Sequence, residues 1–139
     1  MAQTKKTIVL AVGTFDVIHL GHIDYLKQAS TLGDTLVVVV SSDKRCHKRS
    51  KKSYFTEKER QQMVDALKVV DKTVIGHEED VFGIVNELKP DVICIGHDSQ
   101  ITKKTILDNL DASYKPKIVK AKVFHADKYN TTKIKEKYS

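Results

Sequence analysis

"TIVLAVGTFDVIHLGHIDYLKQASTLGDTLVVVVS", residues 7–41, passes from one apolar, β-branched run to another through a glycine, two histidines and a helical pattern. Neither "TIVLAV" (Thr7 to Val12) nor "TLVVVVS" (Thr35 to Ser41) alternates apolar with polar positions. A strand with one wet face alternates, so these two read as strands covered on both faces. Between them, "HIDYLKQASTLGD" spaces Ile23, Leu26 and Ala29 along one helical face, with Gly33 placed to end the helix. Strand, helix and strand in this order make a βαβ unit, whose crossover is expected to be right-handed.

The alternation continues along the chain. "TEKERQQMVDALKVVD" opens with Thr56 and Glu59 at capping-box spacing and then sets Met63, Val64 and Leu67 on one stripe, which predicts a helix starting near Thr56. "KTVIG" (Lys72 to Gly76) reads as a short strand. "EDVFGIVNELKP" puts Val81, Ile84, Val85 and Leu88 on one helical face before Pro90 stops it, and "DVICIG" (Asp91 to Gly96) is a further buried strand. After a loop and a weak helix in "HDSQITKKTILDNLDASYKP", "KIVKAKVF" (Lys117 to Phe124) alternates like an edge strand, and "NTTKIKEKYS" is a short helix capped near Thr131. The predicted class is α/β: one Rossmann-like domain, residues 1–139, with a doubly wound parallel sheet of about five strands and flanking helices.

The bulk properties agree with one ordinary core: 139 residues, 40% of them hydrophobic. No apolar run reaches the roughly 18 residues of a membrane span, and the apolar N-terminal stretch is cut by Gly13 and Asp16, so a soluble cytoplasmic protein with no membrane partner is expected. Cys46 and Cys94 share no metal-binding or redox spacing and read as reduced, structural thiols.

The net charge of +6 points to an anionic partner, and six Lys and Arg fall within "DKRCHKRSKKS", Asp43 to Ser53. Such a run is a solvated loop, a phosphate-gripping loop or a nucleic-acid footprint. Nucleic-acid grooves interleave aromatic side chains with charge, whereas Tyr54 and Phe55 only flank this run, so nucleic acid is not expected as a partner. The role of Lys44 to Lys52 stays open between the other two readings.

In open α/β sheets ligands bind beyond the carboxyl ends of the strands, near the topological switch point. Gly13 to His22 begins where the first strand ends. Gly13 is expected to let the backbone turn closely, Thr14 and Phe15 to offer N–H groups, and Gly21 to let a substrate approach the helix start, whose unpaired N–H groups and dipole favour anions. This is a phosphate cradle without a Walker lysine or a GxGxxG motif. His19 and His22 can then donate to oxygens whose charge rises as an α-phosphorus is attacked and pyrophosphate leaves. A hydrogen bond to a charged group contributes roughly 1.5–3 kcal/mol, and loss of one transition-state donor costs about 10²–10³ in rate. The pair also has the spacing of two zinc ligands, but no third or fourth ligand stands at a recognisable interval.

"GTFDVIHLGH" resembles the signature of the nucleotidyltransferase superfamily that includes the glycerol-3-phosphate and phosphocholine cytidylyltransferases, whose HxGH motif contacts the triphosphate. "YFTEKERQQMVDALKVVDK" is similar to that family's helix bearing a phosphate-facing arginine, here Arg60. "PDVICIGHD" is similar to its fourth strand and following loop, ending in Asp98, and "YNTTKIKEKY" to its STTKI element, with Asn130 in place of serine and Thr131 and Thr132 kept. "FHADKYNTT" lacks the arginine-threonine pair usual before that element in cytidylyltransferases of the glycerol-3-phosphate type. "EKERQQMVDALKVVDKTVIG" and "IVNELKPDVICIGHDSQ" resemble the archaeal FAD synthases, small FMN adenylyltransferases that often read GxDQ where this chain has "GHDS".

The resemblance implies transfer of AMP from ATP to FMN, giving FAD and pyrophosphate, with a divalent cation, Mg²⁺, carried on the nucleotide. The alternatives are CTP with glycerol 3-phosphate or a related phosphorylated alcohol or sugar, and a nucleotide-binding module without turnover. It implies Thr14 and Phe15 as backbone contacts to the nucleotide, His19, Leu20, Gly21 and His22 as the phosphate-binding signature, Asp98 as a contact near ribose or base, and a homodimer. Asp98 fits also because it follows a buried strand at the same crevice; a turn or cap is its other reading. Asp16 is a turn former, a brace for a histidine or a ligand of a nucleotide-bound ion, with brace or turn favoured. Phe124 stacks on the base or sits in the core. Lys44, Lys48 and Arg60 are candidates to neutralise phosphate charge, and His97 is a candidate only through its neighbour Asp98.

Overall fold

The computed structural model describes residues 6–48, 52–78, 81–124 and 131–138. In chain order the elements are β1 (Ile8–Gly13), α1 (Leu20–Ser30), β2 (Thr35–Val40), α2 (Asp43–Lys48), α3 (Glu57–Asp65), β3 (Lys72–Ile75), α4 (Phe82–Leu88), β4 (Val92–Ile95), α5 (Lys103–Asp108), β5 (Lys117–Lys120) and α6 (Thr131–Tyr138). The five strands form one parallel sheet in the order β3-β2-β1-β4-β5. The direction of winding therefore reverses between β1 and β4, which makes their carboxyl ends the switch point. No helix among the described residues is long and apolar enough to cross a membrane.

Both faces of the sheet are covered, which is why the strands read as unbroken apolar runs. Val9 and Ala11 pack with Leu26, Ala29 and Val64 on one face, while Leu10 joins Ile84, Val85 and Ile106 on the other. At the amino ends the carboxylates of Asp34, Asp91 and Asp71 accept the N–H groups of Thr7, Ile8 and Leu36. That edge is closed; the carboxyl edge is the one left for ligands.

Three expectations are corrected. The last strand ends at Lys120, four residues before Phe124, because its partner β4 turns away after Ile95 and offers no further rungs. The basic run is helical from Asp43 to Lys48, its periodicity masked in sequence by charge on every side. Gly33 does not end α1: the C-cap is Thr31 in ordinary helical conformation, and a Cβ on Gly33 would stand 2.7 Å from the Thr7 carbonyl oxygen and from Val9 Cγ2. Its smallness admits the start of β1.

Candidate active site

β1 runs to Gly13, and the chain must leave the sheet there to reach α1. The turn is made by Phe15 at φ 53, a left-handed conformation that costs a residue with a Cβ roughly 1–3 kcal/mol. Gly13, expected to supply the turn, has no positive φ; a Cβ on it would stand 2.8 Å from Phe15 Cε2 and Cζ, so it makes room for that ring. The buried ring packs against His22, centroids 5.4 Å apart, and stacks on Tyr25 at 6.5 Å. Core packing thus holds the strained turn and delivers the chain to the histidines.

His19 is the N-cap of α1, its backbone extended, and the two histidines form the helix's capping box. His19 Nδ1 accepts from the Gly21 N–H at 3.0 Å, and His22 Nδ1 accepts from the His19 N–H at 3.2 Å. These are the tasks of Ser and Glu in an ordinary capping box. A ring nitrogen that accepts carries no proton, so in both neutral rings Nε2 is the N–H donor. The rings stack with centroids 3.9 Å apart. Burial pushes the pKa of His19 below its ordinary 6.5; burial, then His19 alongside, pushes His22 down to about 4, against the pull of Asp98. At neutral pH the pair consists of two uncharged donors of fixed tautomer.

Leu20, exposed, and Gly21 complete the first turn of α1. Asp98 follows β4, is exposed, and acts electrostatically on His22, so it shares the crevice. With His97, Ile95, Ile101 and Lys120 it lines a cleft of about 610 Å³ between the loop after β4 and the end of β5, on the far side of β4 from the histidines. Phe124, half-buried, lies four residues beyond the end of β5, just after Lys122, whose backbone pairs with the Gln28 side chain of α1. The Thr131 hydroxyl donates to the Val17 carbonyl at 3.1 Å, which brings the start of α6 against the signature loop, and Thr132 beside it is exposed.

Arg60 is corrected as a phosphate contact. It is fully buried: Nε donates to the Phe55 carbonyl, Nη1 to the carbonyls of Thr14 and Ser41, and Nη2 to Asp43 Oδ1 at 2.8 Å. A guanidinium has five N–H donors, and four of these are engaged with the loops around the site. Its donors hold the Thr14 and Ser41 carbonyls in place, and none of the side chain is exposed at the surface of the crevice. Asp16 is likewise corrected as a metal ligand and as a brace for a histidine. Its Oδ1 accepts from the Phe55 N–H, and its Oδ2 from the Tyr54 N–H and Lys135 Nζ, all within 2.9 Å. Burial works to raise its carboxyl, but the hydrogen bonds from Lys135, Phe55 and Tyr54 outweigh this and hold its pKa below the ordinary value.

Lys44 is exposed and reaches Glu78, which follows β3, at 3.2 Å; the side chain of Lys48 lies outside the described residues. Among the described residues no three of His, Cys, Asp and Glu gather as a metal set. Two contributors, Lys135 and Tyr25, were not singled out in sequence. For Tyr25 its place three residues after His22 is a signal, since such neighbours share a helix face. In the structure its hydroxyl accepts from the Val12 N–H at 3.1 Å and donates to the Cys94 carbonyl at 2.6 Å.

A family model described as cytidylyltransferase-like matches residues 10–137. The chain is 44% identical over 101 residues to the FAD synthase of Picrophilus torridus, a match covering 69% of this chain and 73% of that one. It is 44% identical over 103 residues to the FAD synthase of Thermoplasma acidophilum, covering 74% and 72%. Its fold matches the crystal structure of the lipopolysaccharide core biosynthesis protein from Thermoplasma volcanium GSS1 with a TM-score of 0.83 and 38% identity, covering 86% of this chain and 99% of that one. A histidine pair capping the first helix at the switch point of a parallel sheet, in a chain with these relatives, means that this protein belongs to the cytidylyltransferase-like family of nucleotidyltransferases.

Proposed function

We propose that residues 1–139 act as one catalytic domain that transfers AMP from ATP to FMN. A phosphate oxygen of FMN attacks the α-phosphorus in line, the bond from that phosphorus to the bridging oxygen breaks, and FAD and pyrophosphate leave. The observation that carries this reading is the reciprocal cap of His19 and His22: both Nδ1 atoms accept backbone N–H groups, so both rings keep a proton on Nε2. Donors fixed before the substrate arrives require no reorganisation as charge develops on the phosphate oxygens. The FAD synthase names of the relatives from Picrophilus and Thermoplasma support ATP and FMN as the substrate pair.

On this reading His19 and His22 are the catalytic residues. Thr14, Phe15, Leu20 and Gly21 offer backbone to the phosphates, Thr131, Thr132 and Lys48 add contacts to them, and Asp98 and Phe124 face the nucleoside. Held together, nucleotide and acceptor react at an effective concentration that two free molecules do not reach. The FMN phosphate is ionised at neutral pH, so no general base is needed. The divalent cation, Mg²⁺ on this reading, comes with the triphosphate as its main ligand and neutralises charge there. Asp16 does not fit as its protein ligand, because both carboxylate oxygens are already bound. Placement in the cytoplasm and pairing into a homodimer belong to the same reading.

A second acceptor class has one specific support. The solved relative from Thermoplasma volcanium is named for lipopolysaccharide core biosynthesis, which favours a phosphorylated sugar, with CTP as donor, as the alternative. Pyrophosphate release and product mass across ATP or CTP with FMN, glycerol 3-phosphate and sugar phosphates test both. FAD mass with ATP and FMN is expected; a nucleotide-sugar or CDP-glycerol mass, or binding without turnover, overturns the leading reading.

A further inference from the structure

α6 is eight residues long, short of the roughly 12–15 at which a helix begins to stand alone in water. Tertiary contacts must therefore hold it. Packing in the core anchors the other parts of the crevice: α1 through Leu26 and Ala29, and the signature loop through Phe15. None of the described side chains of α6 belongs to either apolar cluster of that core. Its tie to the signature loop is polar. Thr131 and Lys135, four residues apart, share one helix face. The Thr131 hydroxyl donates to the Val17 carbonyl at 3.1 Å, while Lys135 Nζ donates to Asp16 Oδ2 at 2.8 Å and to the Lys52 carbonyl at 3.3 Å. Asp16 is a fixed anchor, because the Tyr54 and Phe55 N–H groups already hold its two oxygens. The carboxylate is buried and the lysine one-third exposed, so this charged hydrogen bond is screened less than one on the open surface.

We infer that Lys135 is a positioning residue for nucleotidyl transfer: its ammonium pins α6 to Asp16 and so holds the first turn of that helix, with Thr131 and Thr132, at the signature loop. This rests on the reading that the first turn of α6 meets the triphosphate. The Thr131 bond joins neutral groups and is the weaker of the two ties. Without the ammonium the tie to Asp16 is gone, and the first turn is free to shift against the phosphates. A contact of this kind is made in the ground state as well as in the transition state, so its loss raises KM for ATP and leaves kcat nearly unchanged. On the same reading α6 does not hold the acceptor's phosphate, so KM for FMN does not follow.

The test compares K135M with K89M. Lys89 also makes a short ion pair, with Asp111 at 2.7 Å, but at the end of α4 and just before β4, on the amino edge of the sheet. K135M is expected to raise KM for ATP about tenfold or more, the worth of a hydrogen bond to a charged group, with kcat and KM for FMN within about threefold of the wild type. K89M is expected to match the wild type in all three. A folded K135M with the wild-type KM for ATP overturns the inference, as does the same rise in K89M or an equal rise in KM for FMN. If the wild type makes no FAD from ATP and FMN, the proposed reaction fails instead, and the pin is judged by calorimetry with ATP. Affinity about tenfold weaker in K135M than in the wild type and K89M supports it; equal affinities, or no binding to any of the three, overturn it. If K135M does not fold, amide hydrogen exchange in the wild type decides. Slowing by saturating ATP of the α6 amides together with those of Tyr54 and Phe55, which share the Asp16 carboxylate, supports the pin; slowing in one group alone, or in neither, overturns it.

Discussion

Asp16 and Lys135 stand 119 residues apart in the chain and meet at 2.8 Å. One carboxylate thus fastens the signature loop to α6, and through the Tyr54 and Phe55 N–H groups to the segment after the basic run. Asp16→Asn keeps the shape but loses the charge and presents an amide where donors converge. Unfolding in urea is expected to show a loss of about 1–3 kcal/mol. Lys135→Ala is expected to cost less, because its side chain is one-third exposed. A double-mutant cycle with a coupling near zero contradicts the pairing.

Arg60 gives a prediction with two separable outcomes. Replacing it with Met leaves the carbonyls of Thr14, Ser41 and Phe55 and the Asp43 carboxylate without their donor. Breaking a buried charged network costs about 3–5 kcal/mol, so R60M is expected to unfold at much lower urea. A stable R60M with a raised KM for ATP and nothing else altered would restore the phosphate contact.

His19→Ala and His22→Ala are each expected to lower turnover by about 10²-fold or more, with the fold kept. The sharper variant is His22→Gln, whose carboxamide can accept the His19 N–H through oxygen while its nitrogen offers a donor at another position. Partial recovery of thermal stability over H22A without recovery of kcat is expected, measured by melting and by initial-rate pyrophosphate release. Near-normal rates in both alanine variants contradict the donor role.

Acid should weaken the fold through His22. Its pKa is about 4 in the folded chain against an ordinary 6.5, so between those values the unfolded chain takes up a proton that the folded chain refuses. The contribution is fully present above pH 6.5 and is lost as pH falls toward 4, on the order of 3 kcal/mol in all. Asp16, held below its ordinary 3.8, loses its share only at more acid pH. Denaturation from pH 7 to 4.5 is expected to show the loss in the wild type and a shallower slope in H22A. Histidine NMR at pH 5.5 should find the His22 ring still neutral.

The sheet was legible in the sequence because strands buried on both faces advertise themselves as unbroken apolar runs, and because the period changes from strand to helix between Val12 and Ile23. The histidines were legible because a spacing of three at a helix start is local. Arg60 was not, since its four partners lie on residues 14, 41, 43 and 55, and only folding assembles them. Asp16 was half legible: a bracing role suits an aspartate after a turn, but what it braces lies across the chain. Tyr25 was hidden for the same reason, as the carbonyl it meets belongs to a strand 69 residues away.

The guanidinium of Arg60 bonds to carbonyls that follow β1, that follow β2 and that precede α3. Loosening any one of these segments strands a buried cation, so separate fraying is costly and the three are bound to open in concert. In hydrogen-exchange language, the amides of Tyr54 and Phe55, which lie on Asp16, should share one opening free energy with that of Ser41, which donates to Gly13. The rim of the crevice would then have two states and little between them: assembled around the arginine, or open as a whole.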